Sequence, residues 1–499
     1  MPRYVLANRR AGKFTSEEKH ASRAAIATTL ARVDGGARVI SDKNPSDDLA
    51  RRVVILDADA AEIDRMRATL PPDAMLEPLV RRSIQRRDPP AFRNAIPLAA
   101  VAAGGSAFRV KITGRGQPLA GIQVMFYLRG ASGQPHITQT STNKQGLAAI
   151  TVPAGSVLAM VEPVPFAGYW IMLADAPASG STIDCLPIAK AGPGGGGWWH
   201  SVMGIDVKVA ARGGGIKVGV IDTGCGPHPN LPQVNLVGAF VDGKTLPGSQ
   251  GTDVAQHGTH TTGLIGARPS KAGDFAGMAP ASDLFHARVF KSEDDGPSQA
   301  DLINAIDALS RDNGCDLINM SLGGGAASEM EEDCILDAVQ RGTLCICSAG
   351  NDASAIDYPG AYPECAAVSA IGQIGWAPTG TFSAGNRPQD PALMAQQNLF
   401  LATFSSFGPT LTCAGPGVGI VSTVPNRGDA TDLYMEMDGT SMASPSVCGV
   451  LAAILAGDAH YVATPRDQSR STAARNLLAQ HGHSIGLAVK YEGRGLPHV

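Results

Sequence analysis

The segment Gly439-Thr440-Ser441-Met442-Ala443-Ser444-Pro445 precedes an apolar run, Val447 to Leu455, that predicts a buried helix. Ser441 would then lie at the helix start, near free backbone N–H groups and the positive end of the helix dipole. This environment suits a hydroxyl that becomes an anionic nucleophile, provided that a base and an acid partner lie elsewhere in the chain. A simple N-cap role for Ser441 is the alternative, because serine is common at that position.

Strand-like and helix-like segments alternate from residue 216 onward. The apolar strand-like segments are 216–221, 283–289, 315–320, 343–348 and 366–371, and the helix-like segments are 257–267, 299–313 and 329–341. This rhythm predicts an α/β fold with a doubly wound parallel sheet and helices on both faces, which we assign to residues 199–499. In such sheets the functional site lies beyond the carboxyl ends of the strands.

Three polar residues occupy positions where this sheet would place a site. Asp222 ends a buried strand, His257 opens a helix, and Asn351 follows a strand in Ser-Ala-Gly-Asn. An aspartate there can orient an imidazole, a histidine titrates near working pH, and a side-chain amide can donate to an oxyanion. The alternative for Asp222 is a purely structural role in an Asx turn. A metal site at Asp253, His257 and His260 is not favoured, because no further zinc-type ligand is well placed.

The four motifs occur in the order Asp, His, Asn, Ser: Asp222-Thr223-Gly224, His257-Gly258-Thr259-His260, Ser-Ala-Gly-Asn at 348–351 and the serine segment. Together they resemble the subtilisin-like serine proteases, the subtilase family (peptidase S8), in which Asp–His–Ser is the chain order. Segments such as Asp316-Leu-Ile-Asn-Met-Ser-Leu-Gly-Gly and Phe404-Ser-Ser-Phe-Gly-Pro also look like subtilase sequence. The resemblance covers about residues 199–499.

The resemblance implies a role for each of these residues. Ser441 would attack the scissile carbonyl, His257 would accept and return the proton, and Asp222 would orient the imidazole. Asn351 and the Ser441 backbone N–H would receive the oxyanion. The implied substrate-binding residues are a strand that pairs with the substrate backbone and one wall of a side-chain pocket: Ser321, Leu322 and Gly323, then Ser348, Ala349 and Gly350.

A serine endopeptidase is therefore the function expected from the sequence. An acyl-transfer enzyme on the same fold, a peptide ligase or macrocyclase, would use the same catalytic residues. A catalytically dead binding protein is the third alternative and fits an intact catalytic set less well. The expected partner is a polypeptide substrate.

Several positions depart from the usual subtilase pattern. Ser446 stands where the family usually has histidine, Gln256 replaces a frequent glycine, and Thr261-Thr262 replaces a more apolar pair. Cys225 lies three residues after Asp222 and would be either a thiol-sensitive position or, the favoured reading, an inert buried thiol.

Residues 1–90 read as a small α/β unit with strands near 38 and 53 and an amphipathic helix over 59–70. Residues 36–80 resemble the inhibitory prodomain of subtilases, which implies a zymogen inhibited by its own N-terminal region. The segment Arg81-Arg82-Ser-Ile-Gln-Arg86-Arg87-Asp-Pro-Pro predicts a solvated linker, with a cleavage site at its arginines as the alternative.

Residues 105–178 alternate apolar and polar positions between hairpin-like turns, which predicts a small β-sandwich. The segment resembles bacterial immunoglobulin-like and carboxypeptidase-regulatory-like repeats. Residues 191–198 predict a glycine-rich linker.

The composition narrows the function classes. The net charge of −4 over 499 residues, without a large basic region, argues against nucleic acid as a partner. No uninterrupted apolar run reaches the length of a membrane span. The chemistry requires no cofactor, although acidic residues around 242–253 and 293–295 leave structural calcium open.

The nine cysteines predict buried free thiols in a reducing compartment, because their number is odd and most lie in apolar segments. The N-terminus lacks the apolar region of a signal peptide, which favours the cytoplasm and leaves export by another route open.

Overall fold

The computed structural model describes residues 1–11, 16–31, 36–47, 50–84, 105–130, 133–191, 195–426 and 432–499. Residues 85–90 of the predicted polar linker and 192–194 of the predicted glycine-rich linker lie outside these ranges.

The N-terminal region forms an antiparallel sheet in the order β2-β3-β1-β4. Its elements are β1 (Arg3–Asn8), α1 (Ser16–Ala31), β2 (Ala37–Lys43), β3 (Val53–Ala58), α2 (Ala60–Thr69) and β4 (Ala74–Pro78). Alternate residues of a strand point to opposite faces. Val54 and Leu56 of β3 accordingly pack with Ile63 of α2, whereas Val53 and Ile55 pack against the main domain.

Residues 105–185 form two sheets, β11-β10-β7-β8 and β12-β5-β6, with β9 also pairing with β5. The strands are β5 (Ser106–Gly114), β6 (Gln117–Pro118), β7 (Gln123–Arg129), β8 (Pro135–Ser141), β9 (Leu147–Val152), β10 (Val157–Val164), β11 (Ala174–Asp175) and β12 (Thr182–Cys185). One apolar cluster joins the sheets, with Val110 and Ile112 from one and Val124 and Phe126 from the other. Strand β12 lies beyond residue 178, where the predicted unit ended.

The main sheet has the order β15-β14-β16-β13-β17-β18-β19-β20, and β21 pairs with β19. Its strands are β13 (Lys217–Asp222), β14 (Asn235–Val241), β15 (Lys244–Leu246), β16 (Asp283–Arg288), β17 (Leu317–Met320), β18 (Leu344–Ser348), β19 (Cys365–Gln373), β20 (Leu399–Leu401) and β21 (Cys413–Pro416). The pairs from β14 through β19 are parallel. Buried, apolar strands of this kind are typical of a sheet covered on both faces, and the predicted α/β architecture is confirmed.

Helices cover this sheet: α3 (Trp198–Val202), α4 (His257–Gly266), α5 (Gln299–Asp307), α6 (Glu329–Gln340), α7 (Thr440–Gly457), α8 (Ala459–Ala463), α9 (Gln468–Gln480) and α10 (Val489–Glu492). A π-turn at Ala308–Asp312 extends α5. Two antiparallel ribbons complete the fold, β22 (Ile420–Thr423) with β23 (Tyr434–Met437) and β24 (Gly482–His483) with β25 (Leu496–Pro497).

Within the described ranges, one helix, α7, is long and apolar enough by composition to cross a membrane. However, 83% of its apolar window is buried inside the protein, as in the central helix of a folded core. All nine cysteines are buried and free, as predicted.

The prediction for the polar linker is wrong in part. Residues 81–84 were expected to be solvated, yet the Arg82 side chain is fully buried against the main domain. The neighbouring sequence is polar, and Glu331, the buried partner of Arg82, is distant in the sequence. Trp198, the last residue of the predicted glycine-rich linker, begins α3 and is buried in the main core.

Candidate active site

Asp222 and His257 are in contact at the carboxyl edge of the parallel sheet. Asp222 ends β13 and is fully buried, and His257 is the first residue of α4. The imidazole Nδ1 lies 2.7 Å from Asp222 Oδ1. The Thr223 N–H donates to Oδ1 at 2.7 Å, and the Thr261 hydroxyl lies 3.1 Å from Oδ2. The carboxylate is therefore held on both oxygens while it orients the histidine ring.

Two glycines let the strand end and the helix start approach each other. A Cβ on Gly258 would lie 2.1 Å from the carbonyl oxygen of Gly224, so no side chain fits there. The Gly258 N–H donates to Thr223 Oγ1 at 2.8 Å. The motifs Asp-Thr-Gly and His-Gly-Thr-His thus contact each other through the Gly224 and Gly258 backbones and through the Thr223 hydroxyl.

The charge of Asp222 determines the protonation behaviour of His257. Burial alone would lower the pKa of His257, but the neighbouring Asp222 carboxylate outweighs burial and raises the pKa above its ordinary value. The Asp253 carboxylate contributes in the same direction. An imidazolium beside Asp222 is therefore stabilised, as a general base requires once it has taken a proton.

Two further histidines surround this pair and stay neutral. Burial lowers the pKa of His260 to about 3 and that of His286 to about 4. His260 Nε2 lies 3.1 Å and 3.0 Å from the carbonyl oxygens of Ile420 and Met435, so it ties α4 to the β22–β23 ribbon. His286 Nε2 accepts the Gly224 N–H at 3.2 Å. Both rings therefore have structural partners.

Ser441 lies in the first turn of α7, and its backbone is tied to the strand end at Ser321. Pro445 has no N–H to donate to the Ser441 carbonyl four residues earlier. The Ser321 hydroxyl supplies that hydrogen bond, at 2.8 Å from the Ser441 oxygen. In return the Ser441 hydroxyl donates to the Ser321 carbonyl at 3.3 Å. Because Ser321 follows β17, the neighbour of β13, Ser441 and Asp222 meet at the same sheet edge.

Helix α4 packs closely against α7, and this contact sets the position of His257 relative to Ser441. Gly449 makes the contact possible, since a Cβ there would lie 3.2 Å from the Ile265 Cα. In the described part of the chain, no hydrogen bond joins the Ser441 hydroxyl to His257. Catalytic hydrogen bonds are often long without substrate and tighten when substrate binds.

Asn351 lies beyond the end of β18 with its amide oriented by Thr440. The Thr440 N–H and hydroxyl donate to Asn351 Oδ1 at 3.0 Å and 2.9 Å. A Cβ built on Gly439 would lie 3.5 Å from Asn351 Nδ2 and 3.6 Å from Ser441 Cβ. The amide nitrogen and the serine thus border one space that glycine leaves open. The positioning roles of Thr440 and Thr261 were not predicted from the sequence, although Thr440 lies in the serine motif and Thr261 in the threonine pair after His260.

The six predicted substrate-binding residues form two segments, 321–323 and 348–350, that lie in different surroundings. Gly323 pairs with Ser83 of the N-terminal region in an isolated antiparallel bridge. Ser348 Oγ lies 3.4 Å from the Leu322 carbonyl oxygen, which joins the two segments. Ala349 is completely buried in a small apolar cluster, so its side chain faces the interior. Gly350 has a φ of 113°, a conformation that favours glycine, and a Cβ there would lie 2.3 Å from Asp357 Oδ2.

The positions that depart from the family pattern have local partners. The Ser446 hydroxyl donates to the Met442 carbonyl within α7 at 2.8 Å. The Thr262 hydroxyl donates to the Gly258 carbonyl at 2.6 Å and lies 3.0 Å from His286 Nδ1. Burial raises the pKa of the Cys225 thiol. This supports the interpretation of Cys225 as an inert buried thiol, because the thiolate is the reactive form.

The acidic residues considered for calcium do not converge on a common point. Asp242 pairs with Lys291 at 3.1 Å, and Asp295 pairs with Arg81 at 3.0 Å. Both Asp253 oxygens accept hydrogen bonds, from Thr223 and Thr259. Among the described residues, no group of three or more His, Cys, Asp or Glu side chains could hold a metal ion. These acidic residues therefore do not fit a calcium ion.

Comparison with known proteins agrees with this arrangement. The family model described as the subtilase family matches residues 213–483. Subtilisin DY of Bacillus licheniformis is 33% identical over 294 residues, which cover 58% of this chain and 90% of that protein. A subtilisin of Bacillus pumilus is 35% identical over 269 residues, covering 52% and 84%. The major intracellular serine protease of Bacillus subtilis is 32% identical over 256 residues, covering 49% and 69%.

The buried aspartate–histidine contact, the serine in the first helical turn and the family match agree with one another. The chain belongs to the subtilase family and is a serine-type endopeptidase.

Proposed function

We propose that the chain hydrolyses peptide bonds with Ser441 as nucleophile, His257 as general base and Asp222 as the group that orients the base. The 2.7 Å contact between His257 Nδ1 and Asp222 Oδ1 carries the proposal, because it leaves Nε2 as the nitrogen that can take a proton. The raised pKa of His257 supports it, since the imidazolium forms beside a buried carboxylate.

The reaction follows from these positions. As Ser441 Oγ attacks the scissile carbonyl carbon, His257 Nε2 takes its proton. The imidazolium then protonates the leaving amine, and the C–N bond breaks to leave an ester on Ser441. Water adds to the ester with His257 again as base, and the carboxylic acid product leaves. Asp222 keeps its contact with Nδ1 throughout and stabilises the imidazolium.

Asn351 Nδ2 and the Ser441 backbone N–H are the proposed oxyanion donors. The Thr440 hydrogen bonds fix the amide oxygen and so turn Nδ2 toward the space beside Ser441. A hydrogen-bond donor that already points toward the oxyanion position needs no reorganisation when the negative charge develops there. Ser321, Leu322 and Gly323 would bind the substrate backbone, while Ser348, Ala349 and Gly350 would form one pocket wall through their backbone.

A fluorophosphonate probe tests the catalytic assignment. We expect the probe to label the purified chain at Ser441, with labelling abolished in Ser441→Ala and strongly slowed in His257→Ala. Masses of peptide products distinguish hydrolysis, which adds one water, from the joining of two peptides. Equal labelling of the wild-type chain and Ser441→Ala would overturn the assignment.

We further propose three units, residues 1–90, 105–185 and 199–499, with the first inhibiting the last. Support comes from Ser83, whose N–H and C=O both pair with Gly323 at 3.0 Å, on the strand proposed to bind substrate. Proline at position 83 lacks the N–H, so Ser83→Pro should speed fluorophosphonate labelling of Ser441. Ser83→Ala keeps the backbone pairing and serves as the control. Unchanged labelling in Ser83→Pro would contradict the inhibition.

A cytoplasmic location remains a proposal. It is supported by the nine buried, free thiols, which fit a reducing compartment. Fractionation of the native host, with the chain followed by immunoblot, tests it; recovery outside the cytoplasm would contradict it.

A further inference from the structure

A segment of the N-terminal region, Leu79–Ile84, lies between two edges of the main domain. On one side, the Arg82 N–H donates to the Pro297 carbonyl at 2.9 Å. On the other side, Ser83 and Gly323 exchange both backbone hydrogen bonds. A Cβ on Gly296 would lie 1.9 Å from the Arg82 carbonyl oxygen, so the first edge admits this strand only because residue 296 is glycine. The segment therefore occupies a cleft shaped for an extended peptide.

The Arg82 side chain enters a closed polar subsite in the main domain. Its guanidinium and the Glu331 carboxylate have no exposed side-chain surface. Arg82 Nε lies 3.3 Å from Glu331 Oε1, and Arg82 NH2 contacts Glu331 Oε2. The remaining guanidinium nitrogen, NH1, donates to the carbonyl oxygens of Gly324 and Ala326, the latter at 2.9 Å. Every guanidinium nitrogen thus has an acceptor that belongs to the main domain.

The residues that surround the Arg82 guanidinium all belong to the main domain. The subsite therefore exists even when the N-terminal region is not docked. Glu331 lies on α6, and the Tyr362 hydroxyl lies 3.0 Å from its Oε2. A buried carboxylate without a cationic partner is strongly unfavourable. When Arg82 leaves, Glu331 faces an empty pocket at the cleft and favours another cation there. Arg82 thereby stands in for a substrate side chain.

The strand register fixes where that side chain lies relative to the bond that is cut. Ser83 opposes Gly323, so a substrate strand that pairs in the same antiparallel register places the second residue after the Ser83 position opposite Ser321. The Ser321 carbonyl accepts the Ser441 hydroxyl at 3.3 Å. That second residue therefore presents its carbonyl to Ser441, and the Arg82 position lies three residues before it.

We propose that Glu331, with Tyr362 and the carbonyl oxygens of Gly324 and Ala326, forms a specificity subsite for arginine. The preferred substrates are peptides with arginine three residues before the residue whose carbonyl Ser441 attacks. The inference rests on the proposed function and names its substrate class. Arginine is favoured over lysine because its planar fork reaches the carboxylate and two carbonyls together.

The test uses the full chain carrying Arg82→Gln, which weakens the hold of its own segment on the subsite. The probes are quenched fluorescent peptides with the sequence of residues 80–87, alanine replacing arginine at 81, 86 and 87, and Arg, Lys or Gln at position 82. We expect cleavage after position 85, with kcat/KM at least about a hundredfold higher for Arg than for Gln. Adding Glu331→Gln should bring this ratio close to one.

Glu332→Gln is the matched control, because the neighbouring carboxylate lies on the same helix and should leave the Arg-to-Gln ratio unchanged. Labelling of Ser441 by a fluorophosphonate is measured in every variant. With labelling intact, equal rates for the Arg and Gln peptides, no cleavage of either, a ratio insensitive to Glu331→Gln, or cleavage at another bond would each overturn the subsite. Loss of labelling in every folded variant would instead overturn the proposed function.

Circular dichroism checks that Arg82→Gln is folded. Should that variant unfold, Ser83→Pro replaces it, because it weakens the backbone pairing and leaves Arg82 and Glu331 intact. The same peptides and the same outcomes then apply.

Discussion

Single side chains around Asp222, His257 and Asn351 show how much of the candidate site depends on hydrogen bonds from groups outside the proposed reaction. Asp222 is held by Thr223 and Thr261, and Asn351 is held by Thr440. The sequence indicated Asp222 and Asn351 through strand ends and motif order. It gave no signal for Thr261 or Thr440, because a hydroxyl within a motif shows its partner only when the chain is folded.

Asp222→Asn should change both the rate and its pH dependence. Only neutral His257 can accept a proton, so kcat/KM rises with pH through the pKa of that residue. Because that pKa is raised, the wild-type inflection should lie above about 6.5. Without the carboxylate charge, burial dominates, the inflection should move to lower pH, and kcat should fall about 10⁴-fold. Kinetic pH profiles measure both, with Asp206→Asn as the control; an unmoved inflection would contradict the assigned pairing.

Thr440→Val should reduce kcat roughly five- to tenfold, because Asn351 loses one hydrogen bond that orients its amide. KM should change little, since the proposed role of the amide is to bind the developing oxyanion and not the bound substrate. Thr440→Ser keeps the hydroxyl and should restore the rate. Steady-state kinetics on one peptide separates the two parameters, and a loss confined to KM would argue against this positioning role.

Helix starts are the elements on which the site is built, and the sequence predicted them well. The segments at 257, 299 and 329 were expected to begin helices and do so. Their boundaries follow from apolar periodicity and from capping residues such as Ser298 and Ser328, whose hydroxyls accept backbone N–H groups. The sequence could not show that Gln256, before α4, takes a left-handed conformation with φ of 68°.

Gln256→Gly should stabilise the chain by about 0.5–1 kcal/mol, because glycine adopts a left-handed conformation without the Cβ clash. The substitution also removes a buried amide oxygen that has no hydrogen-bond partner. Gln256→Ala keeps the strained conformation and should bring no such gain. Urea titration in a Ser441→Ala background, which prevents self-digestion, measures the free energy of unfolding. Equal values for the Gly and Ala variants would exclude strain as the cause.

At the scale of the whole molecule, charged residues of the N-terminal unit are buried against helices of the main domain. Arg51 has no exposed side-chain surface and pairs with Asp333, and its Nε lies 3.7 Å from Asp307 Oδ2. Arg82 is buried with Glu331 in the same interface. The sequence offered only arginines in polar surroundings, which ordinarily indicate solvent. Their partners lie more than 200 residues away, so local composition could not predict the docking.

Arg51→Met should weaken this docking by about 3–5 kcal/mol, because it leaves buried carboxylates without their cation. Fluorophosphonate labelling of Ser441 should then be faster than in the wild-type chain. Arg38→Met is the control, since exposed Arg38 pairs with Asp57 inside the same unit and should alter stability by no more than about 1 kcal/mol. Equal labelling rates in both variants would show that the buried pair does not hold the unit in place.

The pairing of Ser83 with Gly323 is intramolecular, and this determines how the cleft responds to outside peptides. A tethered strand competes at an effective concentration that is set by its connection to the main domain and does not change with the protein concentration. A free peptide of the same sequence must reach that level to displace it. Dilution therefore cannot relieve the occupancy, whereas a single cut between the strand and the main domain turns the same residues into a separate ligand that dilution can remove. Under the proposed inhibition, control of this protease would depend on covalent continuity of the chain more than on the amount of substrate.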